Sequence, residues 1–180
     1  GTSVDAINNG TCVYTKWDGG SYANFFKALK AKGVDTIIIT SWSPPACLKK
    51  NLCGCQIGSG QCCTSACGSY SCPDADNYLL PEYYDEYARY LKLWAKYFIQ
   101  TTGMGIYALS LQNEPMFNEP YASSKLPPET YGAALKHVYD TFKADNQLKD
   151  IIFFGPEHMV ANGNHTYYTK TIDDPTYGHL

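Results

Sequence analysis

Three short apolar, β-branched runs, each stopped at a proline, constrain this chain more than any other feature. They are Thr36-Ile37-Ile38-Ile39-Thr40 before Ser41-Trp42-Ser43-Pro44-Pro45, Ile106-Tyr107-Ala108-Leu109 before Ser110-Leu111-Gln112-Asn113-Glu114-Pro115, and Ile151-Ile152-Phe153-Phe154 before Gly155-Pro156-Glu157-His158. Runs of this length and composition read as strands, the second of them as a buried one. Proline stops each ladder because it has no N–H to donate. Between the runs lie helical patterns. In 21–32, Phe25, Phe26 and Leu29 share one face and Gly33 suits the position after a C-cap. In 82–100, Tyr84, Tyr87, Ala88, Leu91, Trp94, Ala95 and Phe98 form a stripe that reads as core packing. Pro127-Pro128-Glu129 opens a third helix with Tyr131, Ala134, Leu135, Val138 and Phe142 inward. A short helical stretch over 167–172 leads to Thr176–Leu180, which reads as the start of a fourth strand. Strand–helix–strand alternation demands parallel pairing through right-handed crossovers. The fold class is α/β, and an open doubly-wound sheet is compatible with the pattern.

Length makes the chain one domain, residues 1–180, with a Cys-rich insert at 47–72. The net charge is −3 without a long run of Lys or Arg, which argues against nucleic acid as a partner. No apolar run reaches the length of a membrane span. The chain opens at Gly1 without a basic-then-apolar leader, as expected of a mature protein or a fragment. Seven of the eight cysteines (Cys47, Cys53, Cys55, Cys62, Cys63, Cys67 and Cys72) crowd the insert among Gly and Ser. Such a loop cannot bury a core of its own, so disulfides are expected to staple it. A zinc site is the competing reading, but Cys-x-x-Cys pairs are lacking, so neither metal nor cofactor is expected. Seven is odd; Cys12 supplies the eighth partner or one thiol stays free. The sequons Asn9-Gly10-Thr11 and Asn164-His165-Thr166 agree with a secreted or secretory-lumen glycoprotein.

The strand ends carry the chemistry. Asn113-Glu114-Pro115 brings an amide, a carboxylate and a turn to one point, where Glu114 can donate or accept a proton. Trp42 offers a flat face on which a sugar ring can stack. The plainer readings are a solvated turn for Glu114 and a core aromatic for Trp42. Sixteen tyrosines suit a sugar-handling protein and an aromatic core equally.

Trp42-Ser43-Pro44-Pro45-Ala46, Leu80-Pro81-Glu82-Tyr83-Tyr84 and Gln112-Asn113-Glu114-Pro115, in this order and spacing, resemble glycoside hydrolase family 30. That family comprises retaining (β/α)₈-barrel glycosidases related to family 5. The resemblance runs from about Ala23 to Leu180. It implies a partial TIM barrel covering roughly strands 3 to 6, since a whole barrel needs about 250 residues. It implies Glu114 as general acid/base and Asn113 as the residue that hydrogen-bonds the sugar 2-hydroxyl. Trp42 becomes a wall of the sugar pocket, and His179 the opening of a His-x-Tyr motif whose Tyr lies past Leu180. Glu157, at the next strand end, orders a loop or touches substrate. Tyr121 and Glu119 lie in the loop after the acid/base and shape a subsite or are ordinary surface residues.

The nucleophile is implied on a seventh strand, outside this chain, so residues 1–180 alone are expected to be inactive. Counterparts of the family's first two strands and of its accessory β-domain are not evident. Cys47 stands where the family commonly has an aromatic residue, which leaves the substrate open among xylan, β-1,6-glucan, β-galactan and glucosylceramide. The expected partner is a carbohydrate; oligomeric state is not legible. The alternative from another class is a non-catalytic secreted module that binds carbohydrate or another protein on the same scaffold.

Overall fold

The computed structural model describes residues 20–51, 76–117, 122–158 and 166–180. Along them helices and strands alternate: α1 (Gly20–Ala31), β1 (Thr36–Thr40), α2 (Tyr84–Thr102), β2 (Gly105–Ser110), α3 (Pro128–Lys143) and β3 (Ile152–Phe154). A 3₁₀ turn, Pro81–Tyr83, leads into α2, whose first turn carries Asp85 and Glu86 against the positive end of the helix dipole. The helix stops at Gly103, whose φ of 73° lets its N–H return to the Ile99 carbonyl at 2.9 Å. Pro128 fills the first position of α3, where a missing N–H costs nothing.

The strands form one sheet in the order β1-β2-β3, with both pairings parallel. Register aligns Ile39, Leu109 and Phe153 in one row and Thr40, Ser110 and Phe154 in the next. Between Ile37 and Ile38 the register shifts, leaving Tyr107 as the extra residue of a bulge. The Ile39 row faces the helices. There Leu109 joins Phe98, Val138 and Phe142 in the buried core, and Phe142 meets Phe153 edge-on at 5.4 Å. The opposite face is different. Ile38 is 62% exposed and its rowmate Ile152 48%, with the small Ala108 buried between them, so among the described residues this apolar side is left largely open.

Among the described residues the sequence pattern located the three strands and the first two helices to within about two residues, and the start of the third helix as well. It failed at the end of the chain. Thr176–Leu180 is a series of turns rather than a strand: Tyr177 and Gly178 donate to the Asp174 carbonyl, and Leu180 donates to that of Tyr177. The cause is local. The Asp174 carboxylate accepts the Thr176 N–H at 2.7 Å, the side-chain bond by which Asp holds a backbone in a turn. The helical stretch before it is a wide π-type turn, Tyr168–Ile172.

Most of the Cys-rich insert lies outside the described residues. Its entry does not: Cys47 is buried in the 3₁₀ turn Ala46–Leu48 and is disulfide-bonded. The fully buried Lys49 beside it donates to the Ser123 carbonyl at 2.6 Å and to Ser43 Oγ at 3.1 Å. Lys49 also bridges Leu79, so the entry and exit of the insert close on each other and on the loop after β2. No described helix is long and apolar enough to cross a membrane.

Candidate functional site

The three strand ends converge. Beyond β1, the Ser41 N–H donates to the Ser110 carbonyl at 3.1 Å, and the Asn113 N–H donates to the Ser41 carbonyl at 2.8 Å. Beyond β3, Asn113 and Glu157 form a parallel bridge, and the Glu114 N–H donates to the Glu157 carbonyl at 3.2 Å. The ladder therefore continues past the regular strands and carries Asn113, Glu114 and Glu157 together. Glu114 has φ of 43°, the left-handed region, and among the described residues no other non-glycine does. For a side chain without local hydrogen-bonding reach this conformation costs about 1–2 kcal/mol. It persists because both neighbours of the turn are tied down: the Phe117 N–H returns to the Glu114 carbonyl at 2.9 Å, and the Leu126 N–H reaches that of Pro115 at 2.8 Å.

Three further side chains brace this point, none of them singled out by sequence reasoning. Thr40 donates from Oγ1 to Glu157 Oε2 at 2.8 Å, crossing β2 to do so. Gln112 is buried and sends its amide N–H groups to the carbonyls of Trp42 at 2.8 Å and Asn113 at 3.0 Å. Tyr87 donates to the Leu111 carbonyl at 2.7 Å and lies 2.8 Å from Ser41 Oγ. Burial holds the Tyr87 phenol well above its ordinary range, so it stays a neutral donor. Tyr87 belongs to the stripe read as plain core packing. Its ring does pack there, but its hydroxyl supports the floor of the site. A signal for Gln112 was present in the motif itself: an amide in a buried run needs partners.

Beneath Glu157, the hydroxyls of Ser110 and Tyr131 are buried and face each other without a hydrogen bond of ordinary geometry. The Tyr131 phenol is pushed up chiefly by burial and further by the Glu157 charge.

Trp42 stands at the end of β1, 43% exposed, on the rim of a cavity of about 270 Å³ that Ser41, Ser43, Tyr90 and Trp94 also line. Asn113, Glu114 and Glu157 are not among its lining residues, so this cavity lies beside the carboxylates and not around them. His179 is exposed within the terminal turns and does not stand at a strand end. Tyr121 and Glu119 lie outside the described residues. Among the described residues no cluster of His, Cys, Asp and Glu is arranged to hold a metal ion.

No family model and no curated protein matches the sequence. Solved structures do match the fold. SrfJ from Salmonella typhimurium superposes with a TM-score of 0.72 at 18% identity, over 98% of this chain and 35% of its own. The glycoside hydrolase family 30 subfamily 8 xylanase Xyn30A from Clostridium acetobutylicum gives 0.63 at 24% identity, over 99% of this chain and 44% of its own. The endo-β1,6-glucanase BT3312 gives 0.68 at 19% identity, over 96% and 36%. The chain thus spans less than half the length of each. At these identities the likeness establishes a fold. It is a parallel α/β segment consistent with part of a TIM barrel.

Proposed function

We propose that residues 1–180 are the central part of the catalytic domain of a secreted, retaining β-glycosidase of the family 30 type, spanning barrel strands three to five and leading toward the sixth. Glu114 is its general acid/base and Asn113 holds the sugar 2-hydroxyl. Trp42 forms a wall of the sugar site. The single observation that carries this reading is Glu114 itself: an acid at the end of the middle strand, in a costly left-handed conformation that its surroundings enforce. Backbone strain of this sort clusters at sites where a side chain must be aimed. In parallel α/β architectures the chemistry gathers at strand C-termini, as these residues do.

The uncovered face carrying Ile38 and Ile152 supports the barrel reading, because parallel sheets bury both faces and a barrel lumen would bury this one. In the reaction, Glu114 protonates the leaving oxygen while a second carboxylate, about 5–5.5 Å away, attacks the anomeric carbon. The same Glu114 then takes a proton from the water that releases the sugar. The second carboxylate belongs to a strand beyond Leu180, so the 180 residues alone have no turnover. Tyr121 contributes to a subsite.

Two readouts on the full-length protein test this. Proton NMR of the first product released from a β-linked polysaccharide should show the β anomer. A 2-deoxy-2-fluoro glycoside should label one carboxylate in a peptide outside residues 1–180. Inversion, or a label on Glu114 or Glu157, would overturn the assignment. Binding of the same polysaccharides without hydrolysis would favour a non-catalytic module.

A further inference from the structure

Glu157 is the one carboxylate the described residues join to Glu114, and its contacts are unusual for a substrate-binding group. Its main chain receives the Glu114 N–H at 3.2 Å and pairs with Asn113. Its side chain does not reach outward alone, for Oε2 accepts the Thr40 hydroxyl at 2.8 Å from the far strand of the sheet. Glu157 follows Gly155, whose φ of 129° turns the chain as it leaves β3. One residue thus ties the ends of β1, β2 and β3 directly beside a strained Glu114. We propose that Glu157 is a positioning residue: anchored by Thr40, it fixes the left-handed turn at Glu114 and so aims the Glu114 carboxyl at the leaving oxygen. This rests on the assignment of Glu114 as acid/base and gives Glu157, which the sequence left between ordering a loop and touching substrate, the part of a strut.

A strut of this kind has a specific signature. If it aims a proton donor, its loss is felt by substrates that need protonation and spares those that do not. Thr40→Val keeps the β-branched shape that suits a strand and removes only the donor. In the full-length enzyme it should lower kcat/KM on a substrate with a poor leaving group about tenfold, the loss of one hydrogen bond to a charged acceptor. On an aryl glycoside with an activated leaving group the loss should stay within about twofold, since that bond breaks with little protonation. Thr40→Ser, which restores the hydroxyl, should recover the first rate. Glu157→Gln, which keeps an acceptor oxygen for Thr40, should retain most of it.

Equal losses on both substrates for Thr40→Val would mean a merely structural contact and would overturn the proposal, as would no loss at all. Abolished turnover on every substrate by Glu157→Gln would also overturn it, by making Glu157 the nucleophile. Glu114→Gln run beside these separates the two levels of the argument. A leaving-group bias for Glu114→Gln without one for Thr40→Val removes the strut and leaves the acid/base. Absence of bias in both removes the acid/base and the strut with it.

Discussion

Replacing Gly155 by alanine should be among the most damaging single-methyl changes available in this chain. Gly155 has φ of 129°, a conformation that L side chains rarely adopt, and a Cβ there would lie 2.5 Å from Tyr131 Oη and 3.4 Å from Ser110 Oγ. Tyr131 is 1% exposed and meets Tyr167 edge-on at 5.7 Å, so its hydroxyl cannot swing clear without moving a second ring. Backbone strain of this kind costs about 1–3 kcal/mol, and forcing a methyl into a packed site about 1–3 kcal/mol more. We expect Gly155→Ala to lose about 4 kcal/mol in all, measured by urea unfolding of the full-length protein with the m-value checked for constancy. A double-mutant cycle divides the two causes. Tyr131→Phe removes the atom responsible for the overlap and, because that hydroxyl faces Ser110 without a hydrogen bond of ordinary geometry, should itself cost little. In the Tyr131→Phe background the penalty of Gly155→Ala should fall by about 1–3 kcal/mol, leaving the strain. A loss below about 1 kcal/mol in the wild-type background, or an equal loss in both, would refute the reasoning.

Asp145 accepts Lys96 Nζ at 2.8 Å, Lys92 Nζ at 3.1 Å and the Gln147 N–H at 3.0 Å, and these contacts, that of Lys96 foremost, hold its carboxyl well below the usual range. Because the folded value is the lower one, its contribution is complete above the unfolded value of about 4 and is lost as pH falls through the depressed one. Both lysines are partly exposed, so Asp145→Asn should cost only about 1 kcal/mol at pH 7 in urea, with the gap closing below about pH 4. For the insert at 47–72, mass measurement before and after reduction and alkylation should reveal at least three disulfides and no metal; bound zinc with free thiols would contradict this.

The fold was legible wherever hydrophobic period and punctuation agreed. The runs ending at Thr40 and Ser110 and the stripe from Tyr84 to Phe98 each carry one pattern bounded by Pro or Gly, and each appears as read. Thr176–Leu180 misled because its composition suits a strand while Asp174, just before it, holds the backbone in turns; a side-chain bond two residues long leaves no periodic trace. At the candidate site, the position of Glu114 was legible because a carboxylate at a strand end is local information. Its braces were not. Thr40 meets Glu157 across 117 positions of sequence, and the Tyr87 hydroxyl reaches the carbonyl of Leu111, 24 residues on. Such contacts are fixed by strand order and register, which residue spacing alone does not specify. The strain at Glu114 was equally hidden, since nothing in Gln-Asn-Glu-Pro marks the Glu and not the Asn as the left-handed residue.

The central claim, that Glu114 is the acid/base of a retaining enzyme, is tested most directly by Glu114→Ala with azide in the full-length protein. The variant should hydrolyse an unactivated β-linked substrate about 10²–10⁴-fold more slowly than wild type. With an activated aryl glycoside it should still form the glycosyl-enzyme, which then accumulates for want of a base. Azide, which needs no base, should restore turnover and yield the β-glycosyl azide, whose configuration reports the retained stereochemistry. An unchanged rate on the unactivated substrate would contradict the account, and so would azide that neither accelerates the variant nor appears in the product.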